Sequence, residues 1–139
     1  MSAAPGTSAP LAFITGASSG IGQALALRCA RAGYRLALVA RRSDELQAWV
    51  DAQGWDARRC RVYRADVADT DSIVQAGQSC LEQQGVPDVV VANAGISIGM
   101  DTSERDDLAV MARTFATNNT GLAATFHPFV AAMRARGSG

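Results

Sequence analysis

Apolar residues recur along this chain in two alternating rhythms: short continuous runs, and stripes spaced three and four apart. The runs Leu11–Thr15, Arg35–Ala40, 61–64 and 88–92 predict strands. Between them the period changes. Ile21, Leu25, Cys29 and Ala32 predict a first helix closed by Gly33. Leu46, Trp49 and Val50 predict a second, capped by Ser43, with Asp44 and Glu45 in its first turn and Gly54 as its stop. Ile73, Ala76, Gly77, Cys80 and Leu81 predict a third, started by Asp69 or Asp71 and ended by Gly85 and Pro87. Its small pair, Ala76 and Gly77, predicts close seating on a sheet. The unbroken valines of 88–92 predict burial on both faces. Two more helical patterns follow, one seeded by Leu108, Met111, Ala112 and Phe115, the other by Leu122, Phe126, Phe129, Val130 and Met133. Pro128 either bends the last helix or sits where neighbours tolerate the lost hydrogen bond.

Strands and helices that alternate over short connections predict an α/β fold: a doubly wound parallel sheet with helices on both faces in three αβα layers. The expected strand order is 3-2-1-4, with a ligand crevice where the order reverses, between the first and fourth strands. The segment leading into that crevice is Thr15-Gly16-Ala17-Ser18-Ser19-Gly20-Ile21-Gly22. A strand that delivers a glycine-rich turn onto a helix start presents free N–H groups and the positive end of the helix dipole, which suits a diphosphate. Gly16 takes the tight turn, Gly20 admits the phosphates, and Gly22 brings helix and strand close.

The end of the second strand selects among dinucleotides. Ala40 stands where a carboxylate would receive an adenosine ribose 2′-OH, and Arg41 and Arg42 follow it. Guanidinium groups there either pair with a 2′-phosphate, which favours NADP over NAD, or simply solvate a loop. Asp66-Val67 after the third strand either meets an adenine edge or supplies a turn or cap. Asn93-Ala94-Gly95 follows the fourth strand, across the crevice, where Asn offers both donor and acceptor and Gly95 a close pass to a ribose. Adjacent Asn118 and Asn119, poor helix formers, predict a local irregularity or a cap. The lone histidine, His127, reads as a packing or surface residue.

Composition narrows the partners. With 48% hydrophobic and 19% charged residues the chain of 139 reads as globular, and its zero formal net charge gives no electrostatic case for nucleic acid or an acidic membrane. Cys29, Cys60 and Cys80 are odd in number and far apart, which predicts packing thiols in a reducing cytoplasm, without disulfides and without a metal site. Residues 1–10, rich in Ala, Ser, Pro and Gly, predict a flexible tail with no signal-peptide pattern, ahead of one folded unit over 11–139.

Together T-G-A-S-S-G-I-G at 15–22, A-R-R at 40–42, A-D-V at 65–67, N-A-G at 93–95 and N-N-T-G at 118–121 resemble the short-chain dehydrogenase/reductase family, in order and spacing. The resemblance implies a Rossmann-like domain and an NADP-dependent oxidoreductase that interconverts a carbonyl and an alcohol by hydride transfer, as a dimer or tetramer. It implies cofactor contacts from Gly16, Ser18, Ser19, Gly20, Ile21, Gly22, Arg41, Arg42, Asp66, Val67, Asn93, Ala94 and Gly95. It also makes Asn118 the active-site asparagine, whose backbone carbonyl helps hold a water of the proton relay.

Two departures stand out. Ser19 occupies a place where many NADP-preferring relatives carry a cation, which leaves discrimination to Arg41 and Arg42. The family's Tyr-x-x-x-Lys pair is also missing: Tyr34 and Tyr63 are followed at +4 by Leu38 and Val67, and every basic residue is arginine. The chain is therefore expected to be a cofactor-binding half, truncated before strand five and inactive alone. The competing reading is a non-catalytic nucleotide-binding half-domain, or a module completed by a partner chain. A methyltransferase fits less well, since an acidic residue is expected after its second strand.

Overall fold

The computed structural model describes residues 8–139. Four strands, β1 (Leu11–Thr15), β2 (Arg35–Ala40), β3 (Cys60–Arg64) and β4 (Val89–Val91), form one sheet in the order β3-β2-β1-β4, every pairing parallel. Their crossovers are α1 (Gly20–Arg31), α2 (Ser43–Ala52) and α3 (Thr70–Gln83). After β4 come α4 (Asp107–Phe115), a π-helical turn over Ala116–Thr120, and α5 (Gly121–Arg136). This is the Rossmann-like arrangement that the alternating periods predict. Residues 1–7 of the predicted tail lie outside the described residues; Pro10 already pairs, its carbonyl accepting the Arg35 N–H at 2.7 Å.

Alternation along the central strands sends successive side chains to opposite faces. Leu11 and Phe13 of β1 and Ala37 and Val39 of β2 point into one layer, closed by Ile73, Ala76 and Cys80 of α3 and Phe129 of α5. Ala12, Ile14, Leu36, Leu38 and Ala40 point into the other, closed by Ala26 and Ala30 of α1 and Leu46 and Val50 of α2. Phe13 and Phe129 meet edge to face with centroids 4.8 Å apart, which fastens α5 to the middle of the sheet.

Several local expectations are corrected. The buried side of α1 is Gly22, Ala26 and Ala30, while Ile21 is 78% exposed. Small residues win that face because the helix starts hard against the turn before it. Ser43 is the first residue of α2 rather than its cap, and the cap position, Arg42, makes no side-chain cap bond. Gly77 seats α5 instead of the sheet: a Cβ there would lie 2.5 Å from Pro128 Cγ. The proline is thus tolerated because its ring fills a notch in α3. Among the described residues β4 is an edge strand, so its valines are not buried on both faces, and Val89 is 39% exposed. In α5 only Phe129 of the predicted stripe is buried, and Leu122, Phe126 and Val130 face outward.

Candidate functional site

The turn between β1 and α1 owes its shape to two glycines. Gly16 (φ 63°) and Gly20 (φ 55°) both adopt the left-handed region that side chains resist. Their surroundings differ. A Cβ on Gly16 would come within 2.9 Å of Ala94 Cα, whereas one on Gly20 would meet nothing within 4 Å. Gly16 packs and Gly20 faces open space. α1 begins at Gly20; its cap residue, Ser19, makes no side-chain cap bond, and its first turn holds no acidic residue. The leading amides and the positive end of the dipole therefore have no side chain of their own to satisfy them.

Across the gap, the segment after β4 is bolted to this turn. Thr15 Oγ1 accepts N–H bonds from Asn93 (3.1 Å) and Ala94 (3.0 Å). The Asn93 side-chain amide donates to the carbonyls of Thr15 and Gly16, both at 3.2 Å, leaving Oδ1 as its acceptor. Gly22 closes the lock from behind: a Cβ on it would sit 2.2 Å from the Gly16 carbonyl oxygen and 2.6 Å from Asn93 Nδ2. Its absent side chain serves the turn and Asn93 rather than a helix–strand contact.

These elements frame one cleft of about 580 Å³ at the C-terminal ends of the strands, where the strand order reverses. Gly16, Ser18, Ser19, Gly20, Ile21, Arg41, Arg42, Asp66, Val67, Asn93, Ala94 and Gly95 all line it; of the cofactor residues expected from the sequence, Gly22 alone does not. Arg42 forms an exposed ion pair with Glu45 (3.3 Å), an interaction of little net worth, while Arg41 has no ion-pair partner among the described residues. The Asp66 carboxylate accepts the Ala68 N–H at 3.0 Å, a turn role, and the cap of α3 is Asp69, which accepts from Ser72 N at 3.2 Å.

Asn118 stands apart. It lies in the π-helical turn and does not line the cleft; its side chain brackets the backbone of Ile96, donating to the carbonyl (2.7 Å) and accepting the N–H (2.8 Å). The predicted irregularity is this π turn, and the asparagine side chain fixes the loop that forms the cleft wall. Cleft residues that sequence reasoning missed include Ile96, Ile98, Thr117 and Arg113. Arg113 and Thr117 are four apart in a helical stretch, a spacing that puts them on one face. Burial pushes the Cys60 and Cys80 thiols up to about 12, yet both belong to the core and neither lines the cleft.

A parallel sheet whose first turn offers unclaimed amides at the switch point defines a dinucleotide-binding fold of the Rossmann type. A profile of the short chain dehydrogenase family matches residues 10–139, and the chain belongs to that family. Oxidoreductase UcpA of Salmonella typhimurium is 41% identical over 98 residues, which are 68% of this chain and 37% of that protein. The fold is similar to a short-chain dehydrogenase from Streptomyces avermitilis (TM-score 0.83, 32% identity, 95% of this chain and 47% of that one). It is similar too to a metagenomic short-chain oxidoreductase solved in complex with NADP (TM-score 0.81, 29% identity, 94% and 59%). The chain thus spans about half the length of these solved relatives and just over a third of UcpA.

Proposed function

We propose that this chain is the cofactor-binding half of an NADP(H)-dependent oxidoreductase, one that interconverts a carbonyl and an alcohol on a small molecule. The carrying observation is the uncapped, acid-free start of α1 facing a cleft whose β2 side bears Arg41 and Arg42. The residues suit the cofactor: Gly20 leaves room where a pyrophosphate would approach the amides, and the apolar strand ends beneath offer a dry floor. The reported NADP complex of a structural relative supports the same choice.

In this reading the amides of the Gly16–Gly22 bend bind the pyrophosphate, and Ser18, Ser19 and Ile21 flank it. Arg41, with Arg42 beside it, neutralises the ribose 2′-phosphate. Asp66 and Val67 border the adenine, and Asn93 Oδ1 accepts from a ribose hydroxyl near Ala94 and Gly95. Asn118 orients the wall at Ile96 through its side chain, and its backbone carbonyl holds the relay water. The bound nicotinamide supplies a hydride at C4. Protonation of the developing alkoxide needs an acid that these residues lack, since no Tyr-x-x-x-Lys occurs in them; alone they bind without turnover. The outward Leu122, Phe126 and Val130 on α5 support an oligomeric whole protein.

A fluorescence titration tests the reading. NADPH is expected to bind at least about tenfold more tightly than NADH, the worth of one charge-assisted pair, and Arg41→Ala to narrow that gap. Equal affinities in the unaltered protein would remove the 2′-phosphate assignment.

A further inference from the structure

The cleft has two walls that belong to opposite layers of the fold. Arg41 and Arg42 lead into α2, which together with α1 covers one face of the sheet. Across from them, the loop after β3 and the α4–π turn segment lie on the side of α3 and α5. Their contact is tight: a Cβ on Gly121 would lie 2.5 Å from the Val67 carbonyl oxygen, so the helical segment carrying Thr117 is pressed against the loop carrying Val67. Thr117 is buried and lines the cleft, and Arg113, one turn earlier, lines it as well. Arg113 is exposed and enters no ion pair among the described residues. Nothing within its own helix therefore holds the guanidinium in place.

We infer that Arg113 is a further cofactor-binding residue, laying its guanidinium plane over the adenine ring while Val67 and Thr117 form the surface beneath. Three features favour the base over a phosphate. Its neighbours in the cleft wall are apolar or uncharged except Asp66, a carboxylate that would repel a phosphate and leaves a flat aromatic ring as the better fit. The 2′-phosphate belongs with the cations of the opposite wall. The pyrophosphate belongs with the amides of α1, which also lie on the opposite layer. A guanidinium stacked on a π face gains from both plane and charge. The inference rests on the proposed cofactor site, and it adds a specific consequence: Arg113 strengthens NADPH and NADH alike, so it sets affinity without setting the choice between them.

The test uses Arg113→Ala and Arg113→Gln, both surface changes, in NADPH and NADH titrations, with displacement of NADPH by 5′-AMP and by inorganic pyrophosphate. Both variants should weaken NADPH and NADH by the same factor, about three- to tenfold, with their ratio unchanged. Displacement by 5′-AMP should weaken in parallel, and displacement by pyrophosphate should not. Unchanged affinities for both dinucleotides would overturn the inference and leave the cofactor site standing. Selective loss of NADPH, or weakening toward pyrophosphate, would overturn it by making Arg113 a phosphate ligand. If the unaltered protein binds neither dinucleotide, both the inference and the site beneath it fall.

Discussion

The helices α1 and α3 both begin where a parallel strand ends, and they finish their first turns in opposite ways. At α3 the fold closes the end itself: Asp69 accepts from Ser72 N, Asp71 lies in the first turn, and the Ser72 hydroxyl accepts the Asp66 N–H at 3.1 Å. At α1 the same orphan amides and the same dipole are left with Ser19, which bonds none of them, and with no acid nearby. A cap of the α3 kind contributes about 1 kcal/mol. The fold forgoes that contribution at α1, next to two glycines held in the left-handed region. An end that stabilises the protein and an end that receives an anion are therefore built from one element, and a single side chain decides between them.

The largest effect is expected where the open end meets the core. Gly22→Ala would drive a methyl group into the Gly16 carbonyl and the Asn93 amide, lowering the melting temperature by roughly 10 °C in a calorimetric scan. Ser19→Asp makes α1 resemble α3. It should raise stability slightly in a denaturant melt and weaken NADPH by more than about tenfold, because a carboxylate then occupies the anion's place. Asp69→Ala is the reciprocal change: about 1 kcal/mol less stable, with NADPH affinity unaltered in the same titration. If Ser19→Asp bound NADPH normally, the contrast between the two helix starts would carry no functional meaning.

A separate effect comes from two buried thiols, Cys60 in the α1–α2 layer and Cys80 in the α3–α5 layer. Burial holds Cys60 and Cys80 protonated up to about 12, against an ordinary value of 9.0. Above pH 9 the unfolded chain loses those protons while the folded one keeps them, so stability is full below pH 9 and falls as pH rises toward about 12. Melts between pH 7 and 10.5 should show this decline, and replacing Cys60 and Cys80 with Ala should flatten it except for the part above pH 10 that the Tyr63 hydroxyl, likewise pushed up by burial, contributes.

The strands were the most readable part of this sequence. Runs such as L-A-F-I and R-L-A-L-V-A are apolar on both sides because helices cover both faces, so their periods announce the sheet directly. The glycine turn was readable for a similar reason: Gly16 and Gly20 need backbone angles that few other residues tolerate. Misreadings arose where packing partners lie far along the chain. On α1, Leu25 and Cys29 pack partly buried against the core as their spacing suggests, but Ile21 faces outward and small Gly22, Ala26 and Ala30 take the most buried line. Gly77 answers to Pro128, and no local pattern links them. Arg113 escaped notice because a helix-borne arginine ordinarily looks like a solvated surface, and only the docking of Gly121 on the Val67 loop turns that surface toward the cleft.

The π turn at Ala116–Thr120 joins two helices with different duties, one bordering the cleft and one anchored through Phe129. Its wider coil takes up a residue without lengthening the rod, and so keeps the faces of the two helices in step. Deleting one residue from α4 after Arg113, where no wide coil takes up the change, would rotate the Arg113 face by about 100° against α5. The cleft would lose a wall while the anchor stayed fast. A length change beside this turn is therefore a dial that adjusts ligand recognition separately from foldedness.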